Sequence, residues 1–126
     1  MVDIDSIMNL LDWNRSVSEQ ERGVKLARDV KDIGAFIQPC NKKYNKNVWE
    51  NCAKILVERT DDELTPYLIE LFEWLQDMNW PGAFYILRRL QTFTGNSVYD
   101  KALSACVKRA RASKDKVWQN NLEELH

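Results

Sequence analysis

The sequence predicts an all-α fold, and three observations support that prediction. Apolar residues recur at helical spacing in one segment after another, and residues suited to helix starts precede most of these segments. No segment of any length alternates apolar and polar side chains as a strand does. We therefore expect residues 1–126 to form one domain, a short right-handed α-solenoid of the HEAT-like type. It would have about three helical hairpins and a short N-terminal capping helix.

The first half of the chain carries the signals for the capping helix and for one hairpin. Ser18 followed by Glu21 forms a capping box, in which each side chain bonds the other residue's backbone N–H. Pro39 ends the helix that begins there, because proline cannot continue it. After a polar loop, Asn47 with Glu50 three residues later starts the next helix. The predicted helices cover residues 4–13, 18–37 and 47–59.

The second half of the chain predicts two further hairpins. The segment from Thr60 to Glu63 is a helix-start signal for about a single turn. Thr65 then caps a helix whose first residue is Pro66, where the missing N–H costs nothing. Ser97 and Asp100 start the longest of the later helices. The predicted helices cover residues 65–77, 81–93, 97–112 and 115–125.

Residues 74–83 join the two helices of the second hairpin through a tight corner. We expect Asp77 and Asn79 to accept hydrogen bonds from N–H groups at the start of the following helix. Pro81 prevents the preceding helix from continuing. Because Gly82 is small, the two backbones can approach each other closely. Nothing in this corner requires a ligand.

A tryptophan stands beside the start of the second helix of each predicted hairpin. These residues are Trp49, Trp80 and Trp118, separated by 31 and 38 residues, a loose period within the range of helix-pair repeats. We expect their rings to pack between neighbouring helices. Trp74 differs, because it lies off the apolar stripe of its helix and can reach the surface. An exposed tryptophan is a good anchor for a partner.

A net charge of −1 hides two oppositely charged parts of the chain. Residues 48–80 contain eight acidic and two basic residues, a net charge of −6, whereas residues 81–118 contain eight basic and two acidic residues, a net charge of +6. Such charges are either solvated faces, partly neutralised by neighbouring helices, or a docking face that selects a partner. The candidate partner-binding residues are Trp74, Asp77, Arg88, Arg89, Lys101, Lys108 and Arg111.

The residue types needed for most catalytic and metal sites are scarce. The only histidine is His126, and the four glycines are too far apart to form a phosphate-binding loop. We therefore expect no enzymatic activity, no catalytic residue, no metal site and no cofactor. Cys52 and Cys106 fall on apolar helix faces and are expected to be buried thiols, whereas Cys40 lies in a polar loop and is the candidate for reactivity.

Localisation is predicted from features that the chain lacks. No uncharged run is longer than residues 78–87, and that run is far too short to cross a bilayer. The acidic start has no apolar signal-peptide region. We expect a cytoplasmic protein that does not associate with membranes.

The run from Tyr67 to Ala83, YLIELFEWLQDMNWPGA, resembles the signature of a known family, the domain of unknown function DUF5071. The resemblance is tight over this run and looser over the capped helices on either side. It implies a small HEAT-like helical fold. It implies no particular activity.

Two functional hypotheses follow from these patterns. The favoured one is a non-enzymatic protein-interaction module that presents a charged helical face to another protein. The alternative is a nucleic-acid-binding HEAT-like protein that uses the basic helix 97–112, whose lysines and arginines would contact phosphates. The isoelectric point of about 5.9 and the adjoining acidic segment speak against the alternative.

Overall fold

The computed structural model describes residues 3–39 and 43–125, and every regular element in these two ranges is helical. The predicted all-α class is therefore confirmed. The α-helices in these ranges are α1 (Ile4–Leu11), α2 (Val17–Ala27), α3 (Trp49–Val57), α4 (Asp61–Leu64), α5 (Leu68–Glu73), α6 (Ala83–Gln91), α7 (Ser97–Ala112) and α8 (Lys116–Glu123). Short 3₁₀ turns occupy Ile33–Phe36, Lys46–Val48, Thr65–Tyr67 and Trp74–Gln76.

Side-chain caps determine where most of these helices begin. The capping box of α4 is the predicted one, with Thr60 and Glu63 bonding each other's backbone N–H groups. The capping box of α2 is formed by Ser16 and Glu19, so the predicted start at Ser18 is two residues too late. Both positions fit the same Ser-x-x-Glu pattern, and the earlier one extends the helix by a further half turn.

The predicted helix over residues 18–37 is wrong in its second half, because α2 ends at Ala27. The guanidinium of Arg59 donates to the carbonyl oxygens of Ala27 at 2.8 Å and of Val30 at 2.9 Å. These bonds satisfy carbonyls that a continuing helix would have used for itself. The apolar residues beyond Ala27 are buried as well, but Ile33 and Phe36 belong to a separate 3₁₀ turn.

The helix starts around the central corner also differ from the prediction. Thr65 does not cap a new helix: its hydroxyl donates to the carbonyl of Asp61, and the chain runs from α4 through a 3₁₀ turn into α5. The helix expected from residue 81 begins at Ala83, and its N-cap is Gly82 with φ +87°. The side chains of Asp77 and Asn79 therefore do not cap α6, whose N-cap is Gly82 and which has no side-chain cap bond.

The helices pack against one another, and the candidate site lies between α2 and α3. Helix α1 packs against α2, and α2 packs against α3. Further along the chain, α3 packs against α6, α5 packs against α7, and α7 packs against α8. The 3₁₀ turn Trp74–Gln76 contacts both α6 and α8. Buried apolar side chains from all eight helices form one contiguous core.

The predicted inward positions are confirmed for most aromatic residues and for two thiols. Trp49 and Trp118 are buried, and the Trp49 ring meets the half-buried Trp80 ring edge to face at 6.0 Å. Cys52 and Cys106 are buried free thiols. Cys40, which the sequence marks as the reactive candidate, and His126 lie outside the described residues.

Candidate interaction groove

A groove of about 890 Å³ opens between α2 and α3, and Tyr85 of α6 contributes to its lining. We call this surface the α2–α3 groove. The lining residues are Val17, Ser18, Gln20, Glu21, Arg22, Val24, Lys25, Arg28, Asn51, Lys54, Val57, Glu58 and Tyr85. Its size is typical of clefts that bind ligands.

The α2 wall of the groove exists because α2 uses a different face to pack against α1. A Cβ atom at Gly23 would lie 2.8 Å from the Leu11 side chain, so α1 approaches that face closely. The groove face carries Val17 and Val24, seven residues apart and therefore on the same side of the helix. Val17 is 71% exposed. An apolar edge thus remains in water, although Gly23 and Ala27 of the same helix are buried.

Asn51 fixes α2 relative to α3 at the groove. Its Nδ2 donates to the carbonyl oxygen of Leu11 at 2.7 Å and to Oε1 of Gln20 at 2.9 Å. Gln20 in turn donates from Nε2 to the carbonyl oxygen of Arg15 at 2.8 Å. Asn51 is buried, where an amide is tolerated only when its polar atoms are paired. This network joins α1, α2 and α3 and gives the groove a fixed shape.

One ion pair crosses the groove from the end of α2 to the end of α3. Arg28 donates from Nε and Nη2 to the two carboxylate oxygens of Glu58, at 3.0 and 3.1 Å. The hydrogen bond from Arg28 lowers the pKa of Glu58. Both side chains remain well exposed, so the pair contributes at most about 1 kcal/mol to stability.

Positive charge predominates among the other lining residues. Arg22, Lys25 and Lys54 form no ion pair within residues 3–39 and 43–125, and Glu21 is the unpaired carboxylate beside them. The Lys54 ammonium lies 5.6 Å from the centre of the Tyr85 ring, within the range of a cation–π contact. The groove therefore offers apolar contacts beside cations that have no ion-pair partner in the described part of the chain.

Two aromatic side chains are exposed on α6, and one of them lines this groove. Phe84 is 64% exposed and Tyr85 is 40% exposed. Tyr85 lines the groove, and Phe84 shares its helix face with Arg88, four residues further on. Exposed apolar side chains that adjoin a groove are typical of binding surfaces.

The prediction that Trp74 is an exposed anchor is wrong, because its side chain is 0% exposed. The indole Nε1 donates to the carbonyl oxygen of Pro81 at 3.2 Å. The chain that returns through the corner covers the ring, and helical periodicity within α5 cannot reveal this. The exposed tryptophan is Trp13, in the turn between α1 and α2, at 49%.

Arg89 and Asp77 also have structural partners. Nη2 of Arg89 lies 2.6 Å from Oδ1 of Asp61 and 2.9 Å from the carbonyl oxygen of Arg59, and only 13% of the Arg89 side chain is exposed. Oδ1 of Asp77 accepts the backbone N–H of Asn79 at 2.8 Å inside the corner. The sequence predicts that Asp77 accepts an N–H group at the start of α6. Its Oδ1 instead accepts an N–H group of the turn.

The remaining predicted residues are exposed but lie on different helices. Arg88 belongs to α6, whereas Lys101, Lys108 and Arg111 belong to α7. None of the four forms an ion pair in the described part of the chain. We call Lys101, Lys108 and Arg111 the α7 basic face. The structure does not join it to Trp74 on one surface.

A depression of about 380 Å³ runs beside the α7 basic face. All of its lining residues come from α7 itself, so it is one side of a helix rather than a cleft between elements. They are Asp100, Leu103, Ser104, Val107, Lys108 and Arg111.

Ion pairs partly neutralise the two oppositely charged segments of the chain. Arg89 pairs with Asp61, and Arg109 pairs with Glu73 at 2.8 Å. Each pair joins a base of the second segment to an acid of the first. The difference in net charge between the two segments is therefore larger in the sequence than on the surface of the folded protein.

Sequence reasoning missed the α2–α3 groove because its residues come from three distant segments. One signal was available: Phe84 and Tyr85 follow Ala83 directly and lie off the apolar stripe of their helix. Aromatic residues in such positions indicate an exposed surface. The arrangement of Val17 on α2 and Val57 on α3 along one groove has no signal within either segment.

Two further observations bear on the chemistry of the site. Within the described ranges, no cluster of three or more His, Cys, Asp or Glu side chains is arranged to hold a metal ion. No helix in this part of the chain is long and apolar enough to span a membrane.

The comparisons with known proteins agree with the signature in residues 67–83. The family profile of a domain of unknown function, DUF5071, matches residues 43–125, which contain α3 to α8. The α2 wall of the groove precedes the matched region, whereas the α3 and α6 residues lie inside it. No curated protein and no solved structure matches the chain. Because the family profile covers more than half of the sequence, the chain belongs to the DUF5071 family.

Proposed function

We propose that this chain is a non-enzymatic protein-interaction module, built as a short HEAT-like α-solenoid, that binds a partner protein in the α2–α3 groove. The observation that carries the proposal is the composition of the groove, where apolar side chains, an exposed tyrosine and unpaired cations meet. Protein interfaces combine an apolar and aromatic centre with a polar rim in the same way.

The packing of the helices supports the solenoid part of the proposal. Helices α3 and α6 are neighbours, and so are α5 and α7, as expected when successive helical hairpins stack. Helix α1 packs against α2 at the N-terminal side, the position of a capping helix. Short stacks of this kind commonly use their exposed helix surfaces to bind other proteins.

The groove side chains favour binding over catalysis. Glu58 is held in an ion pair by Arg28, and the other acidic lining residue, Glu21, is exposed.

The thiols of Cys52 and Cys106 are buried, and burial raises the pKa of Cys106 to about 11. A thiol that stays protonated at neutral pH is a poor nucleophile. Buried reduced thiols also suit the cytoplasm, which we propose as the compartment of this protein.

Capture of partners with matched variants tests the proposed function. Val17 and Tyr85 are exposed, so the double substitution Val17→Arg with Tyr85→Ala should alter the groove without unfolding the chain. The control is Lys101→Glu with Lys108→Glu on the α7 basic face. We expect the wild type and the control to recover the same protein from cells that make this chain, and the groove variant to lose it. The proposal fails if the wild type recovers nothing above background, or if the groove variant recovers the same protein undiminished.

A second candidate function is nucleic-acid binding by the α7 basic face. The specific observation in its favour is that Lys101, Lys108 and Arg111 are exposed and lack ion pairs in the described part of the chain. A gel shift at low salt tests it, with the triple substitution of these residues to Glu as the comparison. Retardation by micromolar wild type but not by the variant would favour this function, and no retardation by either would end it.

A further inference from the structure

We infer that the α2–α3 groove receives an acidic, amphipathic α-helix of the partner protein. The inference rests on the proposed function and adds the chemical class of the partner. It follows from the apolar residues of the groove, from the absence of a sheet edge along its described walls, and from its charge.

The apolar residues of the groove match the repeat of a helix. Val17 and Val24 are seven residues apart on α2, a separation of about 10 Å along the helix axis. An incoming helix presents apolar side chains at positions i and i+7 with the same separation. Val57 and Tyr85 supply apolar contacts from α3 and α6. Side chains at i+3 and i+4 of the incoming helix would lie between the two ends.

The walls of the groove favour a helix over an extended peptide. An extended peptide binds chiefly by adding its backbone N–H and C=O groups to an exposed sheet edge. The residues that line this groove lie in α2, α3 and α6 or at their ends, so no sheet edge borders it. A partner must therefore bring a backbone that is already hydrogen-bonded internally, as a helix does.

The charge of the groove favours an acidic partner. Arg22, Lys25 and Lys54 are unpaired in the described part of the chain, whereas Glu21 is the unpaired carboxylate of the lining. Complementary charge raises association rates and selects among partners. Glutamate and aspartate flanking the apolar stripe of the incoming helix would meet these three cations.

The open form of the groove favours a macromolecule over a small ligand. Small-molecule sites enclose most of the surface of their ligand. Here Val17 is 71% exposed and Tyr85 is 40% exposed, so the groove leaves part of its apolar surface in water. A partner helix would cover these side chains, which a small molecule confined to the groove could not.

A charge-reversal experiment with two defined peptides tests the inference. The probe is a fluorescein-labelled peptide of about 18 residues, long enough for a helix, with Leu at helical spacing and Glu on both flanks. Its counterpart carries Lys in place of each Glu. Binding is measured by fluorescence anisotropy for the wild type, for Lys25→Glu with Lys54→Glu, and for the control Lys101→Glu with Lys108→Glu. Circular dichroism verifies that each variant is folded.

We expect the wild type and the control to bind the acidic peptide and to reject the basic one. The groove variant should lose at least about tenfold in affinity for the acidic peptide and gain affinity for the basic one. Equal binding of both peptides, or no binding of either at about 1 mM, would overturn the inference. So would an equal loss in the control variant, or a dimer of the chain that occupies the groove and excludes the peptide. If partner capture still depends on Val17 and Tyr85 while charge reversal has no effect, the proposed function stands and the acidic helix is ruled out.

Discussion

Two residues of the central corner, Gly82 and Trp74, pack closely against each other. The backbone of Gly82 has φ +87°, a conformation that glycine adopts readily and other residues rarely do. A Cβ atom there would lie 2.7 Å from Cβ of Ala53, 3.0 Å from the carbonyl oxygen of Trp49 and 3.2 Å from the Trp74 ring. Because Gly82 has no side chain, the start of α6 can lie close to α3 and against the Trp74 ring.

Substitution of Gly82 tests this account of the corner. Gly82→Ala should lower the free energy of unfolding by about 2 kcal/mol or more, because it combines backbone strain with overpacking. Gly95→Ala is the matched control, since a Cβ at Gly95 would have no heavy atom within 4 Å. Urea unfolding followed by circular dichroism measures both. Equal midpoints for the two variants would show that the corner tolerates a side chain.

Replacement of the two tryptophans tests the correction to the predicted site. Trp74→Ala should cost about 3–5 kcal/mol, because it removes a fully buried ring and leaves a cavity. Trp13→Ala should cost about 1 kcal/mol or less, because half of that side chain already lies in water. Thermal unfolding of the two variants gives the comparison. A Trp74 variant as stable as the Trp13 variant would mean that the ring is not part of the core.

At the scale of helices, the sequence predicts starts better than ends. The starts of α4 and α7 follow from short local patterns, although the cap of α7 is Asn96 and not Ser97; Thr60 caps α4. The end of α2 does not, because Arg59, from a segment some thirty residues further on, binds the carbonyls at that end. A periodic pattern within one segment cannot show which distant side chain ends its helix.

A second link between elements joins α4 to α6 and to the turn after it. Asp61 accepts the backbone N–H of Thr94 at 2.9 Å and the guanidinium of Arg89 at 2.6 Å. The Thr94 N–H is the larger cause, and Arg89 the second, of a pKa for Asp61 below its usual 3.8. A carboxylate with a lowered pKa in the folded state stabilises the protein above its unfolded-state pKa. That stability is lost as the pH falls through the lowered value.

The pH dependence of Asp61→Asn tests this link. At pH 7 the substitution should lower the free energy of unfolding by about 1–3 kcal/mol, because the charge-assisted bonds to Thr94 and Arg89 are lost. The difference from the wild type should shrink as the pH falls from 3.8 through the lowered pKa, since the wild-type carboxylate then becomes neutral as well. Asp62→Asn, at the exposed neighbouring position, should cost about 0.5 kcal/mol or less at pH 7. A deficit for Asp61→Asn that stays constant from pH 7 to below 3.8 would contradict the assignment.

At the scale of the whole molecule, charge has two roles. Part of the contrast between residues 48–80 and residues 81–118 is neutralised by the ion pairs of Arg89 and Arg109 with acids of the first segment. In the described part of the chain, the cations without an ion pair include one group in the α2–α3 groove and another on the α7 basic face. Composition alone predicts the excess of charge in each segment but not its division into paired and unpaired residues.

The fold class and the inward aromatic residues could be predicted because they depend on patterns within single helices. The candidate site could not, because the groove brings together Val17, Lys54 and Tyr85 from three segments. Of the residues predicted from charge, Arg89 is used in helix packing, whereas Lys101, Lys108 and Arg111 remain exposed on α7. Whether a charged side chain stays exposed depends on which other side chains the fold brings near it. The sequence alone does not show which side chains these are.

Site-specific photo-crosslinking in the cells that make this protein tests the central claim, that a partner protein occupies the α2–α3 groove, most directly. A benzophenone amino acid replaces Tyr85 in the groove and, in a second strain, replaces Val98 on α7, which is 50% exposed. We predict a discrete covalent adduct with one other protein from position 85 and none from position 98. No adduct at position 85, or the same adduct from both positions, would contradict the claim.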